Sequence, residues 1–437
     1  MKKFGLILLV LVMTIALAVI SACGNGGDAP AAPAEAGADV AAPAVPAPAD
    51  DVEVAPGAMG TLEFWTMLTG ADGINMTAIV EDFNATNPNF TVIHRPMPES
   101  ELYINFPLAV MSGVGVPDVA LNHIERMRVF ADNDLITNLA PYLAQHGIVR
   151  DNYNTRAWDM ASFAGGHWGI PLDVHSFVMY VNMDLYEIHG QGELDDGIVT
   201  FDEIIAAAPR LLEAGLIPFP ITWQRAIFLS MYGQLNGSLS TDGVNPDFNN
   251  ADAIRVLELW QYIESNGWTH MEGDSPWEMF LGGHAMWVPE GIWMYNHTVA
   301  AGMNVRMINH PVFYVDRKGN WTSSHQFVIP VDNRDEARIA GIFEFIDFVG
   351  HNSIEWARAG QVPAHVSILD HPEFADMPQA FLAYYDEELA MYDFRYYGFA
   401  VQAIDPVLPE VLRGRMTPQE AMERAESHAR ELIEIGG

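Results

Sequence analysis

The sequence predicts an α/β protein with two domains, each a mostly parallel sheet flanked by helices. Three observations carry this. From about residue 61 onward, strand-like and helix-like segments alternate at the spacing of βαβ units. The chain has 437 residues, half of them hydrophobic and 11% aromatic, enough to build two cores. The third is a long apolar run, Ile170–Asn182, that is too β-branched for a loop and whose Gly169 and Pro171 oppose a helix start.

The N-terminus comes first. Lys2 and Lys3 precede an uncharged apolar run from Phe4 to Ile20, followed by Ser21-Ala22-Cys23-Gly24. A basic start, an apolar stretch and small residues form a secretory signal peptide, residues 1–22. The run is nearly long enough for an uncleaved membrane helix. Cys23 decides against that, because Ile20-Ser21-Ala22-Cys23 resembles the bacterial lipoprotein signal, in which cleavage leaves a lipid-modified cysteine first. Lipid at Cys23 would tether the chain to the outer face of the plasma membrane. Cys23 is the only cysteine, so no intramolecular disulfide can form. Residues 23–60, rich in Ala, Pro and Gly and without an aromatic residue, form a spacer that cannot bury a core.

Charge narrows the partners. Without Lys2 and Lys3 the chain keeps 19 Lys and Arg against 57 Asp and Glu, and Lys318 is its only lysine. That balance works against binding nucleic acid or anionic headgroups and would keep a surface protein soluble, and a monomer is expected. Attraction for a cationic ligand such as a polyamine would need the acid gathered in one cleft.

In order, Thr61–Trp65 reads as a strand, 74–83 as a helix, Phe90–Ile93 as a strand and Leu102–Met111 as a helix stopped by Gly113. Pro117–Leu121 is a third strand and Met127–Asp132 a helical turn. In the second half, Thr200-Phe-Asp-Glu203 is a capping box. Ile254, Leu257, Trp260 and Ile263 fall at helical spacing before Gly267, and 340–350 is another apolar helix. Thr417-Pro-Gln-Glu420 opens the last helix, with Pro at its first position. Within Ile170–Asn182, alternation puts Asp173 and His175 on one strand face, where they must be satisfied by each other, by backbone or by a ligand.

The ordered set resembles extracellular solute-binding proteins of the maltose-binding type. Phe83-Asn-Ala-Thr-Asn-Pro-Asn-Phe-Thr-Val92 is similar to the family's opening, and Ser112-Gly-x-Gly-x-Pro117-Asp118-Val119 to its turn into a strand. Ile170-Pro-Leu-Asp-Val-His175 with Tyr180-Val-Asn182 resembles its hinge segment. Gly282-Gly-His-Ala-Met-Trp287 to Gly291-Ile-Trp293 and Thr417–Ala421 resemble later motifs. Ile292 stands where Pro is usual, and Met183 where Lys is usual. The resemblance implies a two-lobed periplasmic-binding-protein fold with a multi-strand hinge. Its first lobe would hold 61–170 plus about 325–375, its second about 174–320 plus 376–437. It also implies a saccharide ligand clamped between the lobes and delivered to the permease of an ATP-driven importer, with no cofactor.

Ligands of open α/β sheets sit beyond the carboxyl ends of strands. The candidate site residues are therefore Trp65, the turn His123, Glu125 and Arg126, Trp223, Trp293, Asp173, His175 and His325, with Tyr396 and Tyr397 behind them. Trp293 holds the position that stacks on a pyranose in sugar-binding members, by resemblance. Aromatic faces with charged acceptors suit a saccharide. Asp173 is expected to serve the ligand more than the core, so that its loss leaves stability little changed. No H-E-x-x-H, G-x-S-x-G or P-loop occurs, and a secreted glycoside hydrolase or a binder of polyamines or peptides are the competing readings. A metal site on His123, His167 and His175 is not expected, because the sequence shows no ligand-spaced cluster.

Overall fold

A computed structural model describes residues 60–194, 197–314, 319–384 and 389–436. The signal peptide, Cys23, all but the end of the spacer and Lys318 lie outside the described residues. Two sheets, linked by strands that cross between them, make two lobes.

The first lobe starts with β1 (Gly60–Thr66), α1 (Ala71–Thr86), β2 (Phe90–Pro96), α2 (Glu99–Ser112), β3 (Val119–His123) and α3 (Met127–Asp132). β1 pairs in parallel with β2 and with β3, as βαβ units require. The long run 170–182 is not one strand. It breaks at Leu172 into β4 (Ile170–Pro171) and β5 (Asp173–Asn182), which belong to different sheets. Leu172 is the crossing point, and its N–H donates to the His325 carbonyl at 2.8 Å.

The second lobe follows with α4 (Phe201–Glu213), α5 (Gln224–Gln234), α6 (Ala251–Ser265), β6 (Trp287–Gly291), α7 (Tyr295–Ala300), β7 (Val305–Asn309) and β8 (Asn320–Ser323). The chain then returns through β9 (His325–Val328), α8 (Glu336–His351), α9 (Ile354–Arg358) and β10 (Val362–Pro363), and ends with β11 (Leu389–Ala390), α10 (Tyr397–Ile404) and α11 (Pro418–Gly436). The first sheet has the order β2-β1-β3-β9-β4 and the second is built on β5, with β10, β8, β6 and β7 all antiparallel to it. The expected parallel pairing therefore holds for β2-β1-β3 and for the short β8-β11 pair, and the other pairings of the two sheets are antiparallel. Strands arriving from the other lobe run back along β5 and β3, which makes those pairings antiparallel.

Local signals act where the sequence places them. Thr200 and Glu203 form both bonds of the capping box, the Glu203 N–H donating to Thr200 Oγ1 at 3.3 Å and the Thr200 N–H to Glu203 Oε2 at 2.7 Å. Asp118 of the Pro117-Asp118 turn is a structural anchor. Its buried carboxylate accepts from the Glu63 N–H at 2.8 Å and from Arg338 Nη2 at 2.6 Å, clamping β1 and α8 onto β3.

One core, around Phe64, Phe83, Phe327 and Phe345, fills the first lobe, with ring centroids 5.2–5.8 Å apart. A second, around Phe177, Phe228, Trp260, Trp287 and Met422, fills the second lobe. Burying each such side chain stabilises the fold by about 1.5–3 kcal/mol. The return segment serves both lobes: Trp356 and Ala359 join the first core, whereas Ala357, Val362 and Phe374 pack with Tyr180, Trp277 and Val288. Among the described residues no helix is long and apolar enough to cross a membrane.

Candidate functional site

The lobes touch across a cleft. Arg128 Nη2 meets Asp393 Oδ1 at 2.7 Å, Arg395 Nη2 meets Asp132 Oδ2 at 2.8 Å, and Asn296 Nδ2 lies 3.4 Å from Asn75 Oδ1.

Its second-lobe wall is aromatic. Trp293 follows β6, and its ring folds back over Gly291, where an added Cβ would lie 2.2 Å from Trp293 Cζ2. That close approach explains why glycine precedes the tryptophan by two. Trp293 is half-buried and meets Trp223 edge-on at 6.0 Å and Trp321 at 6.5 Å. Trp223, just before α5, is 46% exposed, which leaves a face for a ligand. Behind this wall Glu290 is fully buried. Burial pushes its carboxyl up to about 8, against the pull of the Gly291 N–H at 2.8 Å and of the Thr222 and Trp223 side chains.

The strand crossings carry a polar network. Asp173 and His175 do share a face of β5, and His175 Nδ1 lies 3.0 Å from Asp173 Oδ1. The same oxygen accepts the His325 N–H at 3.0 Å. Asp173 Oδ2 meets His325 Nδ1 at 2.7 Å and accepts from Trp356 Nε1 at 2.9 Å. The carboxylate is fully buried and both oxygens are engaged by protein donors. Burial pushes Asp173 up, but His325 and His175 together outweigh it and hold the carboxyl below the usual carboxylate range. For His325 burial acts downward and Asp173 prevails, raising it, whereas burial and the neighbouring His325 keep His175 low. Asp173 therefore positions imidazoles, and its burial argues against the expectation that stability is indifferent to it.

The first-lobe wall is the turn after β3. His123 Nδ1 meets the Tyr103 hydroxyl at 2.6 Å. Burial, with His325 and His175 nearby, holds the His123 imidazole well below its usual range. Glu125 accepts from Ser323 Oγ at 2.8 Å, joining this wall to β8. Arg126 lies over the Tyr103 ring at 4.6 Å and reaches Gly398 of α10.

Asp173, His175, His325, His123, Glu125, Arg126, Trp293 and Trp223 thus gather in one region. Trp65 instead packs against the Phe106–Phe130 cluster inside the first lobe. His167 lies apart from the other histidines, its Nδ1 2.7 Å from Ser162 Oγ and its ring 4.2 Å from that of Trp158. Tyr397 is buried beside the site, its hydroxyl accepting from Trp321 Nε1 at 3.2 Å, and Tyr396 stacks on Phe399. Sequence reasoning missed Trp321, Tyr103 and Trp356. Trp321 had a signal, since it shares a strand face with Ser323, two residues before the candidate His325. Tyr103 and Trp356 sit in helices and had none.

A groove of about 410 Å³ at the outer rim is lined by Arg128, Asp159 and Asp393 among others. These charges are spent on ion pairs and offer no aromatic face, so the tryptophan cleft is the stronger site.

Known proteins resemble this chain in sequence and in fold. An arabinooligosaccharide-binding protein of Bacillus subtilis is 25% identical over 206 residues, 45% of this chain and 46% of the relative. The chain matches less than half the length of the curated relatives. The GacH receptor of Streptomyces glaucescens, known with acarbose, superposes with a TM-score of 0.74 at 15% identity over 86% of this chain and 98% of its own. UgpB from Mycobacterium tuberculosis, solved with glycerophosphocholine, gives 0.75 at 16% over 86% and 98%. These structures share the two-lobed fold. The sequence profile described as bacterial extracellular solute-binding protein matches residues 78–402, and the chain belongs to that family.

Proposed function

We propose that this protein is the ligand-capturing component of an ATP-driven importer, binding a saccharide or oligosaccharide between its lobes and passing it on without chemical change. The observation that carries this is the wall of Trp223, Trp293 and Trp321 facing the polar His123–Arg126 turn. Indole faces pack on the C–H face of a sugar ring, and charged or polar groups opposite take its hydroxyls. The arabinooligosaccharide-binding relative supports a sugar over the polyamine and peptide readings. The chain acts as a monomer. It is anchored through lipid at Cys23 on the outer face of the plasma membrane, and the acidic spacer lets the lobes reach the permease.

The test is a thermal-shift screen across oligosaccharides, polyamines and peptides, followed by solution scattering on the hit. A saccharide should raise the unfolding temperature, reduce the radius of gyration and be recovered intact, and Trp293→Ala should abolish the shift. A hit only among polyamines or peptides, or hydrolysis of the saccharide, would overturn the reading.

A further inference from the structure

Beside the tryptophan wall three imidazoles meet where the strands cross. His123 ends β3 and His325 opens β9, and the two are direct partners in antiparallel register. His175 lies on β5, opposite Ser323. Ring centroids are 4.3 Å apart for His175 and His325, 4.9 Å for His123 and His325, and 5.8 Å for His123 and His175. One ring nitrogen from each of the three lies within 4.8 Å of the others. Every Nδ1 is already engaged, in His175 and His325 by Asp173 and in His123 by the Tyr103 hydroxyl. Nε2 is the nitrogen each ring has left.

We propose that His123, His175 and His325 hold a divalent transition-metal ion of the zinc class through their Nε2 atoms at the junction of the two lobes. Three imidazoles are a donor set for Zn²⁺, Co²⁺, Ni²⁺ or Cu²⁺ and a poor one for Mg²⁺ or Ca²⁺, which take oxygen. Three protein ligands leave a coordination position for water or a ligand hydroxyl. The outer shell fits as well. Metal-bound histidines usually donate their second nitrogen to a carboxylate or similar acceptor, which fixes ring and tautomer. Asp173 serves two of the rings in this way and is itself fixed by Trp356. The carboxyl groups of Asp72 and Glu125 lie near His325.

Hydrogen bonding to Asp173 alone would account for His175 and His325. It does not account for His123, which a separate hydroxyl steers to the same point from another strand. The rings sit on strands whose register fixes them, so the site is preorganised. His123 and His325 come from the first sheet and His175 from the second, so the ion would bridge the lobes. Metal binding requires no saccharide, so this inference stands or falls apart from the proposed sugar binding.

The experiment uses the full-length protein, stripped with a chelator and titrated by calorimetry with Zn²⁺ alone and by visible absorption with Co²⁺ alone. One ion per chain is expected, with a Co²⁺ spectrum of low coordination number and a metal-dependent rise in unfolding temperature. His123→Gln should weaken binding by about 100-fold, and Tyr103→Phe, which keeps the ring and removes only its orienting bond, by about tenfold. His428→Gln, in the last helix, should change nothing. Failure of the wild type to bind one ion, or unchanged affinity in both His123→Gln and Tyr103→Phe, would overturn the proposal. Tyr103→Phe keeps the test decisive if a histidine variant does not fold.

Discussion

On the second lobe, Trp223, Trp293 and Trp321 turn edges and faces toward the cleft, and Trp223 remains 46% exposed. At the strand crossings Asp173 is fully buried, and its two oxygens are engaged by His175, His325 and Trp356. The difference separates two uses of polar and aromatic groups. A surface that recognises a ligand must keep contacts unmade until the ligand arrives. A buried network must complete its own contacts, since each unpaired member costs desolvation energy. Nearness to the cleft therefore does not make a residue a ligand contact.

Breaking the network should cost the most. Asp173→Asn breaks a buried carboxylate network that engages His175, His325 and Trp356, and stability should fall by about 3–5 kcal/mol in denaturant unfolding. An unchanged stability with lost ligand binding would move Asp173 to the recognition wall.

Glu290 sharpens the contrast because it lies buried directly behind the tryptophans. Its carboxyl is raised by burial to about 8, so the folded state favours the protonated form. Its stabilising contribution is complete below the unfolded-state value near pH 4.5 and is lost as pH rises through 8. Glu290→Gln keeps the uncharged shape at every pH. The variant should match the parent at pH 4.5 and exceed it by about 3 kcal/mol at pH 7, measured by urea unfolding at both values.

Trp223→Ala should do the reverse of Asp173→Asn. Saccharide affinity should fall by about 1–2 kcal/mol by calorimetry, while unfolding of the free protein shifts by no more than about 0.5 kcal/mol. The smallest effect belongs to the rim. Arg128→Ala removes one exposed ion pair between the lobes, worth at most about 1 kcal/mol, and its effect on lobe closure by scattering should vanish at high salt.

Much of this was legible in the chain itself. Hydrophobic periodicity and caps located α1, α4, α6 and α11, because those signals act within a few residues: Thr200 needs only Glu203 to make its box. Alternation on β5 put Asp173 and His175 on one face, and resemblance to the family's Gly-x-Trp position singled out Trp293. Tertiary structure alone decided the rest. The break at Leu172 is invisible in a run that is apolar throughout, because both halves are buried and only the sheet each one joins distinguishes them. Whether Asp173 faced a ligand or the protein depended on His325 and Trp356, 152 and 183 residues away. The meeting of His123, His175 and His325 likewise required three strands from two sheets to cross at one place. A local pattern can specify which way a side chain points from its own strand. What it meets there is set by segments that approach only when the lobes assemble.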